Sequence, residues 1–260
     1  MTSWHSGEVP TLLLVRHGRT AANASGTLAG WTPGVGLDEV GVAQARALGE
    51  RLAGLPVALV AVSPLQRCQE TADELSAAAG WSGVRRVTTD DLGECRYGAW
   101  TGRPLAELAG EELWRTVQDH PSRARFPQDE RGAGGEDAVA GAPFPAESIA
   151  DMAHRVVAAV RDLDRLVGSE HGPEALWVAV SHGDPIKAVL ADAAGTHLDH
   201  FQRIVAGPAS VSVLRYTATR PFLVRVNDTG ADLASLAPAA GGSRETDAPS
   251  GDAVVGGGTA

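Results

Sequence analysis

Short apolar runs alternate with stretches of helical periodicity along most of this chain, and that alternation leaves few folds open. "TLLLV" (Thr11–Val15) reads as a strand buried on both faces. From Asp38 to Leu52, Val42, Ala45, Leu48 and Leu52 fall on one helical stripe, which Gly54 ends. "PVALVAVS" (Pro56–Ser63) is a second strand, and Pro64 suits the first turn of the helix that follows. "VRRVTT" is a candidate third strand, and Ala146–Val167 a long helix with Ser148 near its cap. "ALWVAVS" (Ala175–Ser181) is again a strand, and "PIKAVLADAAG" a helix ended by Gly195. "SVSVLRYTA" and "PFLVRVN" read as a terminal strand pair. The expected fold class is α/β: a three-layer sandwich, its mixed sheet mostly parallel, with helices on both faces.

Two segments break the pattern. His120–Pro145 is rich in Gly, Pro and charge and reads as a mobile excursion. From Thr229 the chain loses apolar periodicity and reads as a disordered tail. The expected organisation is one catalytic domain over 1–228 with a flexible insertion near 120–145, followed by a tail over 229–260.

Charge and cysteine content narrow the partners. A net charge of -10 argues against nucleic-acid binding but leaves room for a local positive pocket. Cys68 and Cys95 have no CxxC spacing and read as free buried thiols in a reducing compartment. No apolar run reaches membrane-spanning length and the first residues carry no signal-peptide pattern, so the expectation is a soluble cytoplasmic protein without membrane contact.

Three strands end in polar groups that a core does not need: Val15-Arg16-His17-Gly18, Val62-Ser63-Pro64 with Arg67 one turn later, and Val180-Ser181-His182-Gly183. Parallel α/β sheets bind ligands outside the carboxyl ends of their strands, so Arg16, His17, Arg67 and His182 could meet in one cleft. Two guanidiniums and two imidazoles together call for an anion, and arginine forks match phosphate oxygens. Helix starts after the strands, such as Gly183, add backbone N–H donors. Each residue also has an ordinary reading: a histidine at a strand end is commonly a surface or capping residue, and Arg67 could pair with Glu70 or Glu74 on its own helix. Recurrence at three strand ends favours the site.

The motifs carrying these residues resemble the histidine phosphatase superfamily, which contains phosphoglycerate mutases and many phosphatases. "RHGRTAAN" is similar to R-H-G-x-[ST]-x-x-N through Arg16, His17, Gly18, Thr20 and Asn23. "SPLQRCQET" resembles S-x-x-x-R-x-x-x-T, and "LGECRYGAWTG" resembles L-x-E-x-x-x-G-x-W-x-G, with Glu94 in place. "AES" (Ala146–Ser148) resembles G-E-S, and "VSHG" supplies the second histidine.

The resemblance implies that His17 attacks phosphorus and becomes a phosphohistidine. It implies that Arg16, Asn23, Arg67, His182 and Gly183 surround the phosphoryl group, and that Glu94 acts first as general acid and then as base. It implies no metal and no other cofactor, since arginines do the charge work, and a small phosphorylated metabolite as partner. The chain departs from the family pattern at Thr101, where W-E-G is common, and at Ala29, where Gln or Thr is common before Gly30-Trp31; it departs from the mutases where Glu94-Cys95-Arg96-Tyr97-Gly98 replaces E-R-H-Y-G, and their later paired arginines are not visible. The expected function is therefore a phosphatase acting on a small phosphomonoester. A phosphomutase using the same histidine is the alternative, and a non-catalytic phosphate-binding module stands behind both. A zinc hydrolase built on His17, His182 and Glu94 lacks HxH or HExxH spacing.

Overall fold

The computed structural model describes residues 9–130 and 143–231. Strand β1 (Thr11–Arg16) leads through a one-turn helix α1 (Ala21–Ala24) to α2 (Glu39–Leu52). Next come β2 (Val57–Val62), α3 (Gln66–Ala79) and β3 (Arg85–Thr88). Two short helices, α4 (Leu105–Leu108) and α5 (Glu112–Asp119), precede the long α6 (Ile149–His171). The chain closes with β4 (Leu176–Ser181), α7 (Gly183–Ala193), β5 (Val211–Tyr216) and β6 (Pro221–Asp228).

The sheet order is β3-β2-β4-β1-β5-β6. β1, β2, β3 and β4 pair in parallel, whereas β5 pairs antiparallel to β1 and β6 antiparallel to β5. The mixed, mostly parallel α/β sandwich expected from the sequence is the observed fold.

Alternation along β1 divides the core. Leu12 and Leu14 face a cluster built with Met152, Val156 and Val160 of α6 and with Ile186 and Leu190 of α7. Leu13 and Val15 face a second cluster with Leu48 and Leu52 of α2 and Ala72 and Leu75 of α3. Both faces of the central strands are thus covered by helices, and that is why they read as unbroken apolar runs. Successive strands β2, β4 and β1 are neighbours, so the ends carrying Ser63, His182 and His17 emerge side by side.

Helix boundaries follow the chemistry of the caps. Asp38 accepts from the Gly41 N–H at 2.8 Å at the start of α2, and Ser148 and Asp151 form a reciprocal capping box on α6. α7 begins at Gly183, two residues before the expected Pro185, because a first-turn N–H has no intrahelical partner and proline loses nothing there. Pro64, by contrast, stays outside α3. The chain remains extended at Leu65, whose N–H reaches Ser63 Oγ at 3.4 Å, and the helix begins at Gln66.

The largest difference from the sequence expectation lies between β3 and α6. The stretch from Glu94 to Glu130 carries several short helical turns, and its aromatic side chains form a compact cluster. Phe126 meets Tyr97 edge-on at 5.0 Å and Trp100 at 5.4 Å, and Trp114 lies 6.2 Å from Trp100. The first part of the expected mobile excursion is therefore packed: Pro121, Ala124 and Phe126 are buried, and Arg125 bridges to Ser148. Turns this short carry too few residues for a helical period to show in the sequence. The centre of the excursion, 131–142, and the tail from 232 lie outside the described residues.

Candidate active site

The turn after β1 makes an unusually close approach to α2. A methyl group on Gly18 would sit 2.5 Å from Gly41 O, and one on Gly41 would sit 2.0 Å from Arg19 O. The two glycines let backbone pack on backbone here, and Thr71 Oγ1 of α3 accepts the Gly18 N–H at 3.0 Å. His17 is thereby clamped between two helices. It is 2 % exposed.

A single contact fixes the chemistry of the His17 ring. Its Nδ1 lies 2.8 Å from Gly18 O. A carbonyl oxygen can only accept, so Nδ1 carries the proton and Nε2 keeps its lone pair. Burial, reinforced by the charges of Arg67 and Arg16, pushes the ring well below the usual histidine value. His17 is thus a neutral imidazole with its unprotonated nitrogen available as a nucleophile.

The second histidine stands edge-on to the first, with ring centroids 5.2 Å apart. His182 is fully buried, its Nε2 2.7 Å from Ser63 Oγ and 3.4 Å from Cys68 Sγ. Burial, then Arg67, His17 and Arg16, hold it well below the usual range too. Cys68 donates to Ser181 O, and burial pushes its thiol up to about 12, so it stays protonated. Both cysteines are free and buried, as expected.

Backbone carbonyls help to place both guanidiniums. Arg67 is 2 % exposed and donates to Gly30 O at 2.8 Å. Its own-helix partners are engaged elsewhere: Glu74 binds Arg46, and Glu70 accepts the Leu37 N–H and a proton of Gln66. Arg16 is fully buried and donates to Ala206 O at 2.6 Å. Burial pulls it down to about 10, so it remains a cation at neutral pH.

Glu94 is 3 % exposed, and its Oε1 accepts the Cys95 N–H at 2.9 Å. Burial first, then the charge of Asp184, push its carboxyl up to about 7, against Arg67, the Cys95 N–H and Arg16. Residues not singled out in the sequence hold this loop. The Glu94 carbonyl accepts from Trp31 Nε1 at 2.7 Å and from Arg155 at 3.3 Å. Arg155 also binds the carbonyls of Asp91 and Gly93 and forms a 2.6 Å ion pair with Glu147 of the "AES" motif. The signal for Arg155 was a cation two helical turns beyond that glutamate.

His17, Asn23, Arg67 and Glu94 line one cleft, with Thr20, Gly30 and Tyr97. Arg16, His182 and Gly183 are buried and are not among the residues that line it. Asn23 serves the α1 cap, accepting from the Thr20 N–H at 3.1 Å. The assembly joins a neutral nucleophile, two cations and a carboxyl group that titrates near neutrality. Such a set suits transfer of a phosphoryl group: the cations match its anionic oxygens and the carboxyl can carry the leaving group's proton. Among the described residues no cluster of three or more His, Cys, Asp or Glu is placed to hold a metal. No helix among them is long and apolar enough to cross a membrane.

The raised Glu94 carboxyl makes a stability prediction. Below about pH 4.5 the group is protonated in both folded and unfolded chains. Between about 4.5 and about 7 the unfolded chain releases the proton and the folded chain retains it, so stability falls as pH rises across that window. Glu94→Gln should therefore melt with the parent at the acid end and above it at pH 8. Equal melting temperatures at both ends would show that no proton is retained.

Residues 12–229 match the family model of the histidine phosphatase superfamily, branch 1. A bifunctional protein of Mycobacterium tuberculosis is 33% identical over 226 residues, 86% of this chain. The match covers 55% of that relative, so this chain spans about half its length. A 2,3-bisphosphoglycerate-dependent phosphoglycerate mutase of Gloeobacter violaceus is 30% identical over 189 residues, covering 73% of this chain and 75% of the mutase. The crystal structure of a phosphoserine phosphatase from Entamoeba histolytica, in complex with 3-phosphoglyceric acid, superposes with a TM-score of 0.67 at 22% identity. That superposition covers 84% of this chain and 97% of the other, and at this identity it speaks for the fold.

Proposed function

The chain belongs to the histidine phosphatase superfamily, and from that membership we propose that it is a phosphatase that hydrolyses a small phosphomonoester through a phosphohistidine on His17. The observation that carries this reading is the His17 ring itself: neutral, its Nδ1 proton tied to Gly18 O, lining a cleft with Arg67 and Glu94.

In the first step Nε2 of His17 forms a bond to phosphorus as the ester P–O bond breaks. Arg16, Arg67 and His182, helped by Asn23 and the Gly183 N–H, surround the equatorial oxygens. Glu94 gives its proton to the departing oxygen, which leaves as an alcohol. In the second step the Glu94 carboxylate takes a proton from water as that water attacks phosphorus. The N–P bond breaks, phosphate forms, and Glu94 is again protonated. A carboxyl titrating near 7 suits both directions of transfer.

Hydrolysis is favoured over mutase action by the fate of the nearby cations. A mutase acting on phosphoglycerate must also grip a carboxylate, and it must keep water from the phosphohistidine while its intermediate turns. Arg103 is paired with Glu111 at 2.6 Å, and Arg125 with Asp151 at 2.8 Å. Arg96 lies over the Trp31 ring, 5.1 Å from its centroid. Phosphate release is expected to exceed isomerisation of 3-phosphoglycerate at every concentration of a 2,3-bisphosphoglycerate primer. Primer-dependent formation of 2-phosphoglycerate faster than phosphate release would instead establish the mutase.

A further inference from the structure

We propose that Asp184 is a positioning residue of this site: its buried carboxylate anchors the hydroxyl of Tyr97, which lines the cleft beside Glu94, and it acts on Glu94 from there. The inference rests on reading Glu94 as the general acid. Asp184 is the second residue of α7 and is fully buried. Its Oδ2 accepts from the Tyr97 hydroxyl at 2.7 Å, and its Oδ1 lies 3.4 Å from Lys187 Nζ. Lys187 is itself buried, donates to Gln202 Oε1 at 2.9 Å and lies over the Phe201 ring. A line of polar groups thus runs from the Glu94–Tyr97 loop through α7 to the turn at Leu198–Arg203.

A buried ion pair contributes little to stability by itself, since desolvation offsets its attraction. Its position here has a use. Glu94 faces Arg16 from β1, Arg67 from α3 and the Cys95 N–H from its own loop, and all three favour its ionised form. The neutral rings of His17 and His182 add no charge at neutral pH. Those cations and that N–H draw the Glu94 carboxyl toward its ionised form. Burial and the charge of Asp184 act in the opposite direction, and the same carboxylate favours the charged form of Arg16. The Tyr97 hydroxyl, pushed well above its usual range, remains a donor that holds the carboxylate beside the loop.

The test is the pH profile of kcat/KM for phenyl phosphate, whose phenolate leaving group needs protonation. The parent should show an alkaline limb that is absent from Glu94→Gln. In Asp184→Asn the limb should move to lower pH by about one unit or more, the usual effect of one nearby charge. The double variant Asp184→Asn/Lys187→Met, which leaves no unpaired buried ammonium, should move the same way. Lys187→Met alone strips the pair of its cation and should move the limb to higher pH, so a poorly folding Asp184 variant does not remove the test. A limb that vanishes in Glu94→Gln but stays in place in all the Asp184 and Lys187 variants that fold overturns the inference alone. A limb that survives in Glu94→Gln overturns the general-acid reading and the inference with it.

Discussion

His17→Ala is expected to abolish phosphate release, by about four to six decades, the scale seen when a covalent nucleophile is removed. The protein should remain folded. His17 lies beyond the end of β1, outside both apolar clusters, and its backbone N–H is held by Ser181 O whatever the side chain. Brief reaction of the parent with labelled substrate, followed by rapid quenching, should trap a phosphoryl group on His17. Its N–P bond should survive base and break in acid, unlike a phosphoester of serine or threonine. The non-catalytic reading predicts no adduct and no phosphate release from the parent. A phosphoryl group trapped on another residue would remove His17 from the chemistry.

The second large effect is expected at Glu94. Glu94→Gln keeps the shape and can still accept the Cys95 N–H, but it has no proton to give or take at the reacting oxygens. Loss of a general acid commonly costs about two to four decades. The loss should depend on the leaving group: heavy for alkyl esters, which depart as strongly basic oxygens, and light for p-nitrophenyl phosphate. With the nitrophenyl ester the second step, in which water needs a base, should become limiting, and the phosphorylated enzyme should accumulate. Equal losses for both kinds of ester, with no accumulation, would make Glu94 a structural residue of its loop.

The first expectation was legible in the sequence because the strand ends are local features, and the second came from the resemblance carried by "LGECRYGAWTG". "LLLVRHG", "VAVSPLQR" and "WVAVSHG" each announce a buried strand that stops at a group no core requires, and the rules for parallel sheets bring such ends together. Asp38 and Ser148 were equally legible as helix starts, since capping is settled within four residues. The turns between Gly98 and Arg123 were not legible. They are too short to show a period, and they are held by Phe126, Tyr97 and Trp100 packing on one another.

Sequence determined the α/β class and the extent of the main strands and helices, and together with the family resemblance it named the candidate site residues: Arg16, His17, Asn23, Arg67, Glu94 and His182. These follow from hydrophobic period and from the ordered motifs, each contained in a short stretch of chain. Tertiary structure decided the protonation states on which the proposed chemistry rests. Desolvation at the ends of β1 and β4 keeps both histidines neutral, the Gly18 carbonyl selects the tautomer of His17, and Gly30 and Ala206 orient the arginines. It alone brought Arg155 to the Glu94 loop and Asp184 to Tyr97, across 61 and 87 residues of sequence. A pKa depends on burial and on every charge nearby, and those neighbours are assembled only when distant parts of the chain pack together.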